Sequence, residues 1–128
     1  MPDLLFDTTV FVDDYNDNPA AAAAVADVLL GQKRAFYSPV TVFELWLHEM
    51  ARDEEARHRA LLGACISAPF NDDAARVMSS WLSLQPRSGR RRLLGDAMIA
   101  ATAAALGLTI LTRNPRDFTR FYANVQSY

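Results

Sequence analysis

The sequence predicts an α/β fold, a single domain of one central parallel sheet with helices on both faces. Two observations carry that expectation. Short apolar runs alternate with longer helical patterns, and strands covered on both faces read as continuous apolar runs, not alternating ones. A chain of 128 residues that is 51% hydrophobic and 22% charged has the size and composition of one domain, residues 1–128, with its own core. The single cysteine, Cys65, excludes an intramolecular disulfide and a Cys-rich zinc site, and it suits a reducing compartment.

The elements follow in order. Leu4-Leu5-Phe6 is a short buried strand that stops at the polar Asp7-Thr8-Thr9, and a short helix is expected from Val10 to Tyr15. Asn18 and Pro19 supply an N-cap and a first helical residue, so the alanine-rich segment after them is a helix that ends at Gly31. Ala35-Phe36-Tyr37-Ser38 is a second strand. Pro39 then opens a helix whose apolar Val40, Phe43, Leu47 and Met50 recur at helical spacing and are expected to face the core. A further helical segment passes through Leu61 and Leu62, and Asn71 caps another through Val77, Met78 and Trp81. Residues 85–92, with Pro86, Gly89 and four arginines, read as a loop. Residues 96–106 are helical up to Gly107, residues 108–112 form a strand, a helical turn follows near Asp117, and a last strand lies near Val125.

No stretch reaches the roughly 20 apolar residues of a membrane span, and the first residues lack the basic flank of a secretory leader. No membrane association and a cytoplasmic location are therefore expected. Charge is unevenly distributed. Residues 1–75 hold five Lys and Arg against thirteen Asp and Glu, whereas residues 76–128 hold eight Arg against only Asp96 and Asp117. Such a split points to an acidic site beside an arginine-rich surface, and arginine suits phosphate. Mixing of the charges on folding is the competing explanation.

In parallel sheets ligands bind beyond the C-terminal strand ends. Asp7 follows the first strand, and Asn114 and Asp117 follow the strand at 108–112. Glu44 lies in the helix after the second strand, and Asp96 starts the helix before the strand at 108–112. Each acid has a plain structural role open to it as a cap or a solvated helix position. Gathered at one edge, however, these carboxylates repel unless a cation neutralises them. A hard divalent ion such as magnesium or manganese takes oxygen ligands of this kind.

Four stretches, Leu-Phe-Asp-Thr-Thr-Val-Phe-Val (5–12), Ser-Pro-Val-Thr-Val-Phe-Glu-Leu (38–45), Gly-Asp-Ala-Met-Ile-Ala-Ala-Thr-Ala (95–103) and Leu-Thr-Arg-Asn-Pro-Arg-Asp-Phe (111–118), resemble in order the motifs of the PIN-domain nucleases. In length and in the position of its first acid the chain is most similar to the VapC-type ribonuclease toxins of bacterial toxin–antitoxin pairs. The resemblance implies metal-dependent cleavage of RNA, with Asp7, Glu44 and Asp96 holding Mg2+ or Mn2+. A water then attacks the phosphodiester, leaving 5′-phosphate and 3′-hydroxyl ends. It implies that Asn114 or Asp117 is the fourth site residue and that Thr9 and Thr112 support the acids. Arg87, Arg90, Arg91, Arg92, Arg113 and Arg116 are candidates for the RNA backbone. A cognate antitoxin and a homodimer are the implied partners.

Other readings are weaker. His48-Glu49-Met50-Ala51-Arg52 begins like a zinc-protease motif but has Arg52 where the second histidine belongs. Asp7-Thr8-Thr9 lacks the second aspartate of Asp-x-Asp phosphatases. Trp46 and Trp81 are expected in the core or at a subunit contact, and Cys65 as a small buried hydrophobe. The alternative to an enzyme is a silent PIN-like module that binds RNA or a protein without cutting.

Overall fold

The computed structural model describes residues 3–128. Its five strands, β1 (Leu4–Phe6), β2 (Ala35–Tyr37), β3 (Ile66–Ser67), β4 (Thr109–Thr112) and β5 (Val125–Ser127), form one sheet in the order β3-β2-β1-β4-β5. Every pairing is parallel. β1 is thus central, with β2 on one side and β4 on the other, and the direction of winding reverses beside it.

Neighbouring residues of a strand point to opposite faces, and here both faces are buried. Phe6 and Leu111 join Val10, Phe11, Val25 and Leu61 in one cluster. Leu5 and Ile110 join Ile99, Ala103 and Phe118 in another. The first cluster is built with helices α1 (Thr8–Tyr15), α2 (Pro19–Leu29) and α4 (Arg52–Ala64). The second is built with α7 (Leu94–Leu106) and α8 (Arg116–Thr119), and Trp81 of α5 (Asp72–Leu82) packs against it. Asn18 caps α2 by accepting from the amides of Ala20 and Ala21 at 3.0 and 3.1 Å. Gly107 ends α7 at φ 68°, a left-handed conformation that costs glycine little. Among the described residues, no helix is long and apolar enough to cross a membrane.

Four local expectations need correction. Helix α3 covers only Pro39–Trp46, and its buried residues are Thr41 and Leu45, while Phe43 and Leu47 are 64% and 61% exposed. Thr8 donates to Glu44 and bonds the Thr41 hydroxyl, which matches a helix turned with those two polar side chains towards α1 and leaves Phe43 outside. Residues 87–93 are not a loop. They form α6 (Arg87–Arg90) and a 3-10 turn that runs into α7, and the Arg90 side chain ties the segment back by donating to the carbonyls of Gln85 and Ser83. Helix α1 starts at Thr8, two residues before Val10. Finally, Ile66–Ser67 is an edge strand too short for any periodicity to reveal.

Candidate metal centre

The parallel register sets Phe6 beside Leu111, and the Asp7 amide continues the ladder by donating to the Leu111 carbonyl at 3.1 Å. Asp7 therefore stands beside Thr112, just past the C-terminal ends of the two central strands. It occupies the N-cap position of α1, yet its side chain makes no capping hydrogen bond. Its Oδ2 instead accepts from the hydroxyls of Thr112 at 2.9 Å and Thr9 at 3.0 Å.

The direction of those two bonds is fixed by the backbone. Thr9 Oγ1 accepts from the Arg113 amide at 3.1 Å, and Thr112 Oγ1 accepts from the Asn114 amide at 3.0 Å. A hydroxyl has one proton to donate, so each threonine presents it to Asp7. The carboxylate is thereby held in a single orientation. Burial pushes its pKa up, opposed by the Thr112 hydrogen bond.

Glu44 arrives from α3. Its Oε1 accepts from Thr8 Oγ1 at 2.6 Å, and Thr8 also meets Thr41 Oγ1 at 3.0 Å. A side chain at Gly95 would come within 4.0 Å of Glu44 Oε2, so the start of α7 lies close to this carboxylate. Burial raises the Glu44 pKa, and the Asp7 charge adds to the rise. Asp96, in the first turn of α7, is pushed up to about 6 by burial first, then by the charges of Asp117, Asp7 and Glu44, with Arg120 opposing. The four acids, from four separate elements, are thus within electrostatic reach of one another. None of them makes an ion pair among the described residues.

A family model spans all four acids. The PIN domain model matches residues 4–124. The chain belongs to the PIN-domain family. It is 33% identical over 118 residues to Ribonuclease VapC19 of Mycobacterium tuberculosis, covering 91% of this chain and 93% of that one. Among solved structures it resembles a toxin-antitoxin complex from Klebsiella pneumoniae, with a TM-score of 0.70, 25% identity and coverage of 96% and 95% of the two chains. It also resembles DNA-bound VapBC from Salmonella typhimurium, with a TM-score of 0.74, 20% identity and coverage of 100% and 98%.

In this PIN domain the donor set fits a hard divalent cation. The side-chain donor atoms of Asp7, Glu44, Asp96 and Asp117 are all oxygens, and none of the four forms an ion pair among the described residues. Among the described residues no three His, Cys, Asp or Glu side chains converge as a ready-made cage.

The remaining expected residues divide. Asp117 contributes charge at Asp96. Asn114 is exposed, and its backbone carbonyl accepts from the Asp117 amide at 3.1 Å. Arg113 is held by Asp13 at 2.6 Å, and Arg90 is held by backbone carbonyls. Arg87, Arg91, Arg92 and Arg116 are exposed and form no ion pair among the described residues. Sequence reasoning missed Thr8 as the partner of Glu44, Thr41 as the partner of Thr8, and Arg120 as a charge near Asp96. The run Asp7-Thr8-Thr9 held the signal for Thr8, because consecutive helical residues point about 100° apart and so serve different neighbours.

Proposed function

We propose that this PIN domain is an endoribonuclease of the VapC type, the toxin of a toxin–antitoxin pair, dependent on Mg2+ or Mn2+. What supports this reading is a set of four carboxylates without an ion-pair partner among the described residues, Asp96 being close enough to the other three to feel their charges. Asp7, Glu44 and Asp96 would hold the ion, with Asp117 beside Asp96. When bound, the cation supplies charge neutralisation, an acidified water and stabilisation of charge on the phosphoryl oxygens.

The chain's own residues do the positioning. Thr9 and Thr112 aim Asp7, and Thr8, anchored on Thr41, aims Glu44, in the manner by which outer hydrogen bonds orient ligand side chains. Asp117 lies close enough to Asp96 to strengthen that carboxylate's hold on a cation or a proton. Arg91, Arg92, Arg116 and Arg120 are free to meet RNA phosphates, whereas Arg90 and Arg113 are occupied in holding the fold. A cognate antitoxin, homodimerisation and work in the cytoplasm belong to the same reading. The relatives named above support it.

The test is cleavage of RNA by the purified chain with Mg2+ or Mn2+, repeated with chelator and with Asp7→Asn. Cutting that needs the metal and disappears in folded Asp7→Asn is expected. RNA binding without cutting by the unaltered chain overturns the enzyme in favour of a silent binding module.

A further inference from the structure

Next to the acids lies a second feature that the reaction does not use. A cavity of about 260 Å3 is lined by Thr8, Val12, Glu44, Leu45, His48, Glu49, Met50, Glu54 and His58. It shares Thr8 and Glu44 with the metal centre and extends away from it between α1, α3 and α4. Its volume sits just under the range of about 300–1,000 Å3 usual for small-molecule sites, so it suits one flat ring system.

The walls divide by chemistry. Val12, Leu45 and Met50 are apolar, and a thioether packs well against an aromatic face. Glu49 is exposed and Glu54 half-buried, and both offer acceptors. His58 is 1% exposed, is fixed between the ring edges of Phe11 and Tyr15, and has Nε2 3.6 Å from Glu54. Its Nδ1 has no hydrogen-bond partner. A buried polar atom without a partner is rare in proteins, and here it belongs to a residue on the cavity wall.

We propose that this cavity receives an unstacked guanine of the RNA, adjacent to the bond that is cut. This rests on the ribonuclease reading and names its specificity. Single-stranded bases are recognised by stacking and by hydrogen bonds along their Watson–Crick edges. Guanine alone among the four bases presents two adjacent donors, N1–H and the 2-amino group, which match the two oxygens of a carboxylate. Its O6 accepts, which matches an imidazole N–H of His48 on the cavity wall. Adenine, cytosine and uracil each turn at least one lone pair towards the carboxylate, and a buried mismatch of that kind costs more than a lost contact. Glu44 is not the reader, because its Oε1 is taken by Thr8. Glu49 is the specificity-determining carboxylate, with Glu54 beside it.

The experiment compares kcat/KM on single-stranded oligonucleotides whose guanines are replaced one at a time by inosine, which lacks the 2-amino group, and by adenine. At one position flanking the cut, inosine lowers kcat/KM about tenfold and adenine about 100-fold. In Glu49→Gln the guanine preference at that position falls to within about threefold, an outcome that a merely structural residue would not produce. In parallel, guanosine but not adenosine shifts the imidazole NMR signals of His48 and His58 in the metal-free protein. Cleavage with no base preference, together with unmoved imidazole signals, overturns the guanine site and leaves the nuclease standing. Shifted signals in a protein that cuts no RNA would keep the site and sink the nuclease.

Discussion

Helix α1 and its N-cap carry three buried aspartates in two different situations. Asp13 and Asp14 are 4% and 5% exposed, and Asp7 is 6% exposed. Asp14 meets Arg57 through two hydrogen bonds of 2.7 and 3.0 Å, and Asp13 meets Arg113 at 2.6 Å and the Tyr128 hydroxyl at 2.8 Å. Asp7 receives only neutral hydroxyls from side chains and faces other acids. Burying a charge is expensive unless it is paired. Asp13 and Asp14 are neutralised by the protein and so serve the fold. Asp7 is left without a counter-charge from a side chain, which is what the proposed metal site requires.

The sharpest way to break that contrast is to exchange charge for an isosteric amide. Asp7→Asn is expected to lower RNA cleavage about 1,000-fold or more, while the melting temperature of the metal-free protein at neutral pH stays the same or rises. Arg57→Ala should do the reverse. It strands Asp14 without its partner and costs about 1–3 kcal/mol in denaturant unfolding, with cleavage retained at temperatures where the protein is folded. The figure lies below that for a fully buried pair because the Arg57 side chain is 42% exposed.

Two further measurements sharpen the contrast. Thr112→Val keeps the shape but removes a donor to Asp7, and about a tenfold loss in metal affinity is expected from titration calorimetry. The second concerns pH. Asp96 is pushed up to about 6 from the ordinary aspartate value of 3.8, so its proton competes with a cation, and Mn2+ affinity should be roughly tenfold weaker at pH 5 than at pH 7. Without metal the sign is opposite for stability. The fold penalises ionised Asp96, so this group's contribution is fullest below about pH 4 and is lost as the pH climbs through about 6. Asp96→Asn should flatten that part of the melting-temperature profile. The smallest effect is expected of Arg91→Ala with Arg92→Ala, a severalfold loss of RNA binding and a shallower salt dependence.

Much of the site could be read from the sequence because strand ends place residues by chain order alone. An acid one residue past β1 and a Thr at the end of β4 become neighbours once the strands pair in parallel, and apolar runs of three or four residues suffice to mark those strands. The side of α3 that faces inward was not legible in the same way. Counting apolar residues selected Phe43 and Leu47, but the contacts with α1 are made by Thr41 and Glu44, which a hydropathy pattern scores as outward. Likewise the four arginines of residues 87–92 read as a solvated loop, since nothing local announces that Arg90 folds back onto two carbonyls. The cavity beside Glu44 gathers residues from α1, α3, α4 and the connection between them, and no single stretch of sequence contains it.

The central claim is that Asp7, Glu44 and Asp96 share one divalent cation. A crystal soaked in Mn2+, with diffraction recorded at the manganese absorption edge, tests it most directly. The account predicts an anomalous peak among those three carboxylates that is absent in Asp7→Asn. A peak lying elsewhere, or none there at saturating Mn2+, would contradict it.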